Sequence, residues 1–330
     1  MRRRETRLDG VDTYLRRYPD SPILLDVLGT LDADAIRTQA LKIEPEADEI
    51  FFLDASVGAL FGVRRRDGSR VSIKVNKLFA AEEYLKDVHE LQGRLAAGGY
   101  PAPRPLRLVG TASVDEWLDA GEFRNAHDPP VRRAMACELV RFHRVTTATG
   151  VRPRRAFLRP AGALWPKPHN VLFDFEATTA GAGWIDEIAA AARAVADAPV
   201  GAEVVGHTDW SAKHLRFDRE LHLTALYDWD SVTVGREPEL VGTAAGSFTY
   251  TEELEEAVDV WPSTAESEAF LAEYEEERAA RFSADEHAVA RAACVYLRAY
   301  AARCHHAYGG DARETGLAEL AQALLVSDTW

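Results

Sequence analysis

Three short apolar runs lie close together near the start of this chain: EIFFL (49–53), ALFGVRR (59–65) and RVSIKV (70–75). Each is rich in β-branched or aromatic residues, the composition of a strand that buries one face. Their connections are too short to hold a helix. DASVG separates the first pair, and Asp67-Gly68 in the second connection is a strong hairpin signal. The result is a three-stranded antiparallel meander. A helical pattern follows over 79–97, with Leu85, Val88, Leu91 and Leu95 on one side, and GGYPAP stops it. RPLRLVG (104–110) and SVDEWL (113–118) then read as two further strands.

On either side of this sheet the chain is helical. VDTYLRRY and DADAIRTQALKI carry apolar residues at helical spacing, with YPDSP as a break between them. Beyond Gly121 come an amphipathic helix opened by Pro130, a second helix (GWIDEIAAAARAVADA), a hairpin (HLRF, DRE, LHLTALYDWD) and a long helical tail. The expected fold is α+β and bilobal: a five-stranded antiparallel N-lobe sheet before a mainly helical C-lobe. The expected division is a helical extension (1–45), an N-lobe with hinge (46–120) and a C-lobe (121–330).

The net charge of -14 argues against nucleic acid as a partner, because phosphate binding needs a basic face. It suits solubility, or a cationic small-molecule ligand. The three cysteines, Cys137, Cys294 and Cys304, are too scattered for a disulfide framework and fit a reducing cytoplasm. MRRRETRLDG has no apolar stretch behind it to make a signal peptide, and no run of about 18 apolar residues could span a membrane.

The chemistry centres on VVGHTDWSAKHLRF (204–217). A lone His-x-Asp decides nothing, since a chain with 10 histidines holds about one by chance. Its companions decide. Phosphoryl transfer from ATP needs a cover over the phosphates, a lysine to hold them, a carboxylate for magnesium and a carboxylate to orient the attacking hydroxyl. Lys74 stands near the end of the third strand, and Asp228 at the end of an apolar strand shortly after Asp209. Alone, Lys74 is explained as an edge-strand charge and Asp228 as a turn residue. Together they follow an order: meander with lysine, helix, hinge, helices, His-x-Asp loop, hairpin, aspartate.

In this order the chain resembles the aminoglycoside phosphotransferase family, small-molecule kinases with a protein-kinase-like fold. The resemblance spans roughly residues 49–300. It rests on His207-Thr208-Asp209, on Tyr227-Asp228-Trp229 and on the Tyr100-Pro101-Ala102-Pro103 turn. It implies ATP and Mg2+ as cofactors and a small-molecule hydroxyl as acceptor, an amine-bearing one fitting the acidic charge. It implies that Lys74 holds the α- and β-phosphates, Asp209 takes the hydroxyl proton, His207 braces the loop and Asp228 ligates magnesium. The loop 54–58, with Ser56 and Gly58, would cover the phosphates, and the backbone of Glu116, Trp117 and Leu118 would face adenine. Glu83 and Glu90 are the candidates for the helix glutamate that pairs with Lys74.

The chain departs from the family at two positions of the loop. The family's metal-binding asparagine falls on His214, and its proline on Ala212. Imidazole is a nitrogen donor and suits magnesium poorly. His214 is therefore a candidate metal residue with three open consequences: it orients Asp209 or a phosphate, it changes the number or kind of metal, or the site binds nucleotide and turns over poorly. The last is the rival reading, a regulatory nucleotide-binding protein with little catalysis. Another rival, a kinase of protein side chains, is disfavoured by the short DSVTVGREPEL stretch after Asp228. The acidic run from Thr251 to Arg278 reads as a solvated helix face or as a clamp for a cationic substrate. LWPKPHNVLFDFEAT (164–178) reads as core packing or as a substrate lid.

Overall fold

In a computed structural model the described residues are 9–77, 81–154, 162–251 and 260–325. Strands β1 (Ala47–Ala55), β2 (Ala59–Arg65), β3 (Arg70–Val75), β4 (Pro105–Val109) and β5 (Ala112–Glu116) form one antiparallel sheet in the order β1-β2-β3-β5-β4. All five lie where the apolar runs place them. The Asp67-Gly68 turn brings Val63 opposite Val71, and it works because Gly68 takes a φ of 85° that a side chain would resist.

Three helices precede the sheet: α1 (Gly10–Arg17), α2 (Pro22–Leu28) and α3 (Ala33–Ile43). Their Val11, Leu24 and Ile36 pack with Ile50, Phe61, Ile73 and Val114 of the strands into one core. The middle helix begins at Pro22, the last residue of the YPDSP stretch that the sequence marks as a break. Pro22 sits in its first turn, where a missing N–H costs nothing, and Ser21 caps it by accepting from Leu24 N at 3.1 Å. The proline there begins a helix as well as ending a loop.

Helix α4 (Glu82–Ala97) carries the expected apolar face. The expected start at Phe79 lies outside the described residues. Leu85, Val88, Leu91 and Leu95 join the core of the C-terminal half, with Met135, Leu139 and Phe142 of α5 (Pro129–Ala148). So α4 carries the sheet onto the helical half.

That half holds α6 (Gly183–Ala196), α7 (Glu237–Ala245), α8 (Thr264–Arg278), α9 (Ala284–Ala307) and α10 (Leu317–Leu325). Two small ladders lie among them. β7 (Leu215–Phe217) and β8 (Leu223–Leu226) form the expected hairpin. β6 (Glu203–His207) pairs with β9 (Val232–Arg236), a ladder that local pattern does not reveal because the whole hairpin lies between its strands.

The acidic helix α8 is held by ion pairs. Glu273 pairs with Arg132 and Glu276 with Arg133, both on α5, while Glu268 pairs with Arg291 on α9. Glu266 and Glu275 meet His127 and His287. These five carboxylates serve helix packing, while Glu277 of the same helix is exposed beside Cys137. Residues 252–259 of the same acidic run lie outside the described residues.

Candidate active site

β6 ends at His207, whose ring is fully buried against Phe142 of α5. Its Nδ1 accepts from the Asp209 N–H at 3.2 Å, so its Nε2 carries the proton and donates to the Tyr227 carbonyl at 3.1 Å. Burial pushes the imidazole down to about 4, so the ring is neutral at pH 7. The next residue repeats the stitch. Thr208 donates its N–H and its hydroxyl to the Ser231 carbonyl at 2.8 and 3.0 Å. The His-x-Asp loop is thereby zipped to the chain that follows β8.

Asp228 begins that chain with φ 60° and ψ 48°, a left-handed conformation that aspartate tolerates better than most residues. The bend turns its carboxylate back toward the sheet. Oδ2 accepts from Ser231 Oγ at 2.5 Å, and Oδ1 from Lys74 Nζ at 2.5 Å. The ammonium also bonds Asp230 Oδ1. Burial opposes the charges of Lys74 and Asp228, but their mutual attraction outweighs it and holds the Asp228 carboxyl far below the usual carboxylate range. Tyr84 on α4 donates to the Asp230 carbonyl at 2.6 Å, tying the same segment to the N-terminal half.

Asp209 faces this cluster. Its Oδ1 accepts from Ser211 Oγ and its Oδ2 meets His214 Nε2, each at 3.0 Å. Burial acts to raise its carboxyl, yet His214 and Lys213 hold it well below the ordinary value. His214 ends a single 3-10 turn, Ala212–His214, and its carbonyl accepts from Tyr227 N at 2.9 Å. One ligand atom each from Asp209, His214 and Asp228 lies within 4.8 Å of the others.

The remaining expected positions lie around this centre. Gly58 crosses the end of β3, where a Cβ would stand 2.5 Å from the Val75 carbonyl oxygen, so only glycine lets the loop pass this close to Lys74. Ser56 N donates to the Gly58 carbonyl at 3.0 Å and closes that loop. Of the hinge residues, Glu116 N donates to Arg104 O and Trp117 N to Arg70 O, and the Trp117 ring packs on Phe51 with centroids 5.0 Å apart. Leu118 offers its carbonyl to Tyr227 Oη at 2.9 Å, and its N–H has no partner among the described residues. Neither candidate helix glutamate meets Lys74: Glu90 pairs with Arg94 at 2.5 Å, and Glu83 is exposed.

Sequence reasoning missed four groups. Asp230 stands two residues beyond Asp228, and the doubled Asp-x-Asp was a signal in plain view. Asp115 and Lys213 carried none, and His169 is marked only as part of a segment read as core packing or a lid. Lys213 acts electrostatically on Asp209 and rests its ammonium 5.5 Å from the Tyr250 ring centroid. His169 lies in the 164–178 segment, which forms neither helix nor strand. Its Nδ1 bonds Tyr300 Oη at 2.9 Å, and burial lowers it to about 4 with Asp209 acting against that shift. This segment both packs on α9, through Trp165 stacked on Tyr296, and reaches the neighbourhood of Asp209.

Residues 55–274 match the model of the phosphotransferase enzyme family. The chain belongs to that family. Among solved structures it is similar to an amicoumacin kinase in complex with AMP-PNP and Ca2+, at 12% identity and a TM-score of 0.60, over 88% of this chain and 93% of that one. It is also similar to a choline/ethanolamine kinase family protein from Mesorhizobium loti (10% identity, TM-score 0.57, 89% of this chain and 95% of that one). A third likeness is to the aminoglycoside phosphotransferase APH(2")-IIa in its gentamicin complex (14% identity, TM-score 0.51, 91% and 97%). Identities this low establish the shared fold. No curated protein sequence matches the chain. The fold is therefore the α+β one of the protein-kinase-like small-molecule kinases, as the order of Lys74, Asp209 and Asp228 implied.

Proposed function

We propose that the chain is an ATP-dependent phosphotransferase that moves the γ-phosphoryl group to a hydroxyl of a small molecule. One observation carries the reading: Lys74 from the sheet and Asp228 from the helical half meet at 2.5 Å beside Asp209. The amicoumacin kinase solved with AMP-PNP and Ca2+ supports a nucleotide and a divalent metal for this fold.

The residues divide the work. Lys74 holds the α- and β-phosphates, and the loop through Ser56 and Gly58 covers them. The Leu118 N–H is the hinge donor left for the purine. Asp209 accepts a hydrogen bond from the acceptor hydroxyl and orients its oxygen toward the γ-phosphorus. As that oxygen bonds to phosphorus, the bond to the ADP oxygen breaks and the hydroxyl proton passes to Asp209. A carboxylate held so far into its ionised form is a weak base. Its task is orientation, with proton transfer late, which suits a loose transition state. His207 keeps the loop in register as a neutral brace.

Magnesium fits the donors. Asp228 and Asp209 offer carboxylate oxygens close together, as a hard cation requires, whereas His214 Nε2 already faces Asp209. Bound there, magnesium would neutralise phosphate charge. His214 in this reading orients Asp209 and is not a ligand.

With five of the six carboxylates of α8 engaged in ion pairs, the net charge of -14 is the main reason to expect an amine-bearing acceptor and no nucleic acid. A peptide acceptor is disfavoured because only residues 229–236 separate Asp228 from α7, too few for a peptide platform. Free Cys137, Cys294 and Cys304, and reliance on ATP, favour the cytoplasm. No helix among the described residues is long and apolar enough to cross a membrane.

The test is ADP release with Mg·ATP across aminosugars, amino alcohols and sugars, beside Asp209→Ala. Acceptor-dependent release that the variant lacks supports the reading. Tight Mg·ATP binding with no release across the panel favours the regulatory alternative.

A further inference from the structure

We propose that Asp115, on β5, is the carboxylate that anchors Lys74 once nucleotide phosphates occupy the site, in the part expected of a glutamate on α4. The inference rests on the nucleotide-binding reading above.

The carboxylates of α4 are engaged elsewhere or do not face Lys74; the charges acting on Asp87 are Glu90 and Glu83 of its own helix. Glu82 pairs with Lys86, Glu90 pairs with Arg94, and Glu83 is exposed. The strand register offers another. Lys74 lies opposite Ser113, and Ser72 lies opposite Asp115. Residues two apart on a strand share a face, so Lys74 and Asp115 are diagonal neighbours, within reach of a long side chain. Asp115 is braced for the task. Gln92, buried on α4, donates its amide to Asp115 Oδ1 at 3.2 Å and to the Pro103 carbonyl at 2.7 Å. The charged groups acting on Asp115 are Lys74 from β3 and Asp230 from the segment after β8, while α4 contributes the uncharged Gln92 and β5 the Ser113 hydroxyl.

Lys74 is drawn to Asp228 and Asp230. Phosphates and magnesium compete for these partners. A lysine that gives up both carboxylates for phosphates keeps its charge matched but loses the contacts that fix its direction, and a carboxylate on the protein side restores them. Asp115 is in position to do so. Burial pushes its carboxyl up to about 7, with Lys74 acting in the opposite sense, so it gains charge as the ammonium turns toward it.

The experiment is calorimetric titration of Mg·ATP into the wild type, Asp115→Asn and Asp115→Glu at about pH 6 and about pH 8.5, with melting curves to verify folding. Asp115→Asn keeps the shape and the hydrogen bond from Gln92 and removes the charge. We expect it to bind Mg·ATP about tenfold more weakly than the wild type at the higher pH and within about twofold of it at the lower, where the wild-type carboxyl is mostly protonated before binding. Asp115→Glu should recover part of the difference. The nucleotide's own titration cancels in the comparison. Equal or tighter binding by a folded Asp115→Asn at the higher pH overturns the proposal. So does a deficit of the same size at both pH values, which would mark a structural role. A wild type that binds no Mg·ATP sinks the nucleotide reading itself, and this inference with it; binding by the wild type with no pH-dependent deficit in Asp115→Asn sinks this inference alone.

Discussion

Lys74 Nζ and Asp228 Oδ1 stand 2.5 Å apart although 154 positions separate them in the chain. Asp230 completes a triad in which one ammonium holds two carboxylates, all three largely out of solvent. Lys74→Ala leaves two like charges facing each other, and the expected loss is about 1–3 kcal/mol of stability. A divalent cation can take the ammonium's place. Melting curves with and without Mg2+ should therefore show a larger stabilisation by the metal in Lys74→Ala than in the wild type. An equal metal effect in both proteins would show that the metal does not compete with Lys74 for Asp228.

His214 meets Asp209 at 3.0 Å, so its removal should disturb the orientation of the carboxylate and leave the nucleotide in place. His214→Ala is expected to lower kcat about tenfold or more, with the KM for ATP and the half-saturating Mg2+ concentration unchanged. A shift in the metal requirement instead would make His214 a ligand.

Two buried histidines, His143 and His207, and the partly buried His169 set an acid limit for the protein. Burial lowers His143 to about 3, and His169 and His207 to about 4. In the unfolded chain each takes up a proton near pH 6.5. Between about pH 6.5 and 4 the unfolded state thus binds more protons than the folded one, and stability falls as pH falls through that window. For His207 alone the full effect is about 3 kcal/mol. Chemical denaturation at several pH values should show the decline beginning below about pH 6.5, and His207→Gln should flatten it. A stability profile level down to about pH 4.5 would contradict the buried neutral state.

Arg132 and Glu273 form two parallel hydrogen bonds, at 2.9 and 3.0 Å, between α5 and α8. Glu273→Gln should cost about 1–2 kcal/mol in stability and leave the KM for the acceptor unchanged. A raised acceptor KM at full stability would return α8 to the substrate cleft.

The order of elements was legible because local rules write it. Asp67-Gly68 turns the meander, leucines at helical spacing mark α4, and the His-x-Asp loop with Asp228 falls where apolar strands end. Lys74, Asp209, His214 and Asp228 could be named as candidates from the chain because their types and order follow the pattern of the family whose model the chain matches. Their partners could not. Lys74 finds Asp228 and Asp230, with Asp115 beside it, and not Glu83 or Glu90. Helical phase leaves both glutamates plausible, and only packing turns Gln92 toward the sheet while the α4 glutamates face water. The acids of α8 read as a charge run in one dimension and become ion pairs when α5 and α9 lie against them. Sequence determined which groups the protein possesses and in what order. Tertiary structure decided which of them share a low-dielectric space, because charge pairing depends on distance and burial, and those are set by contacts far apart along the chain.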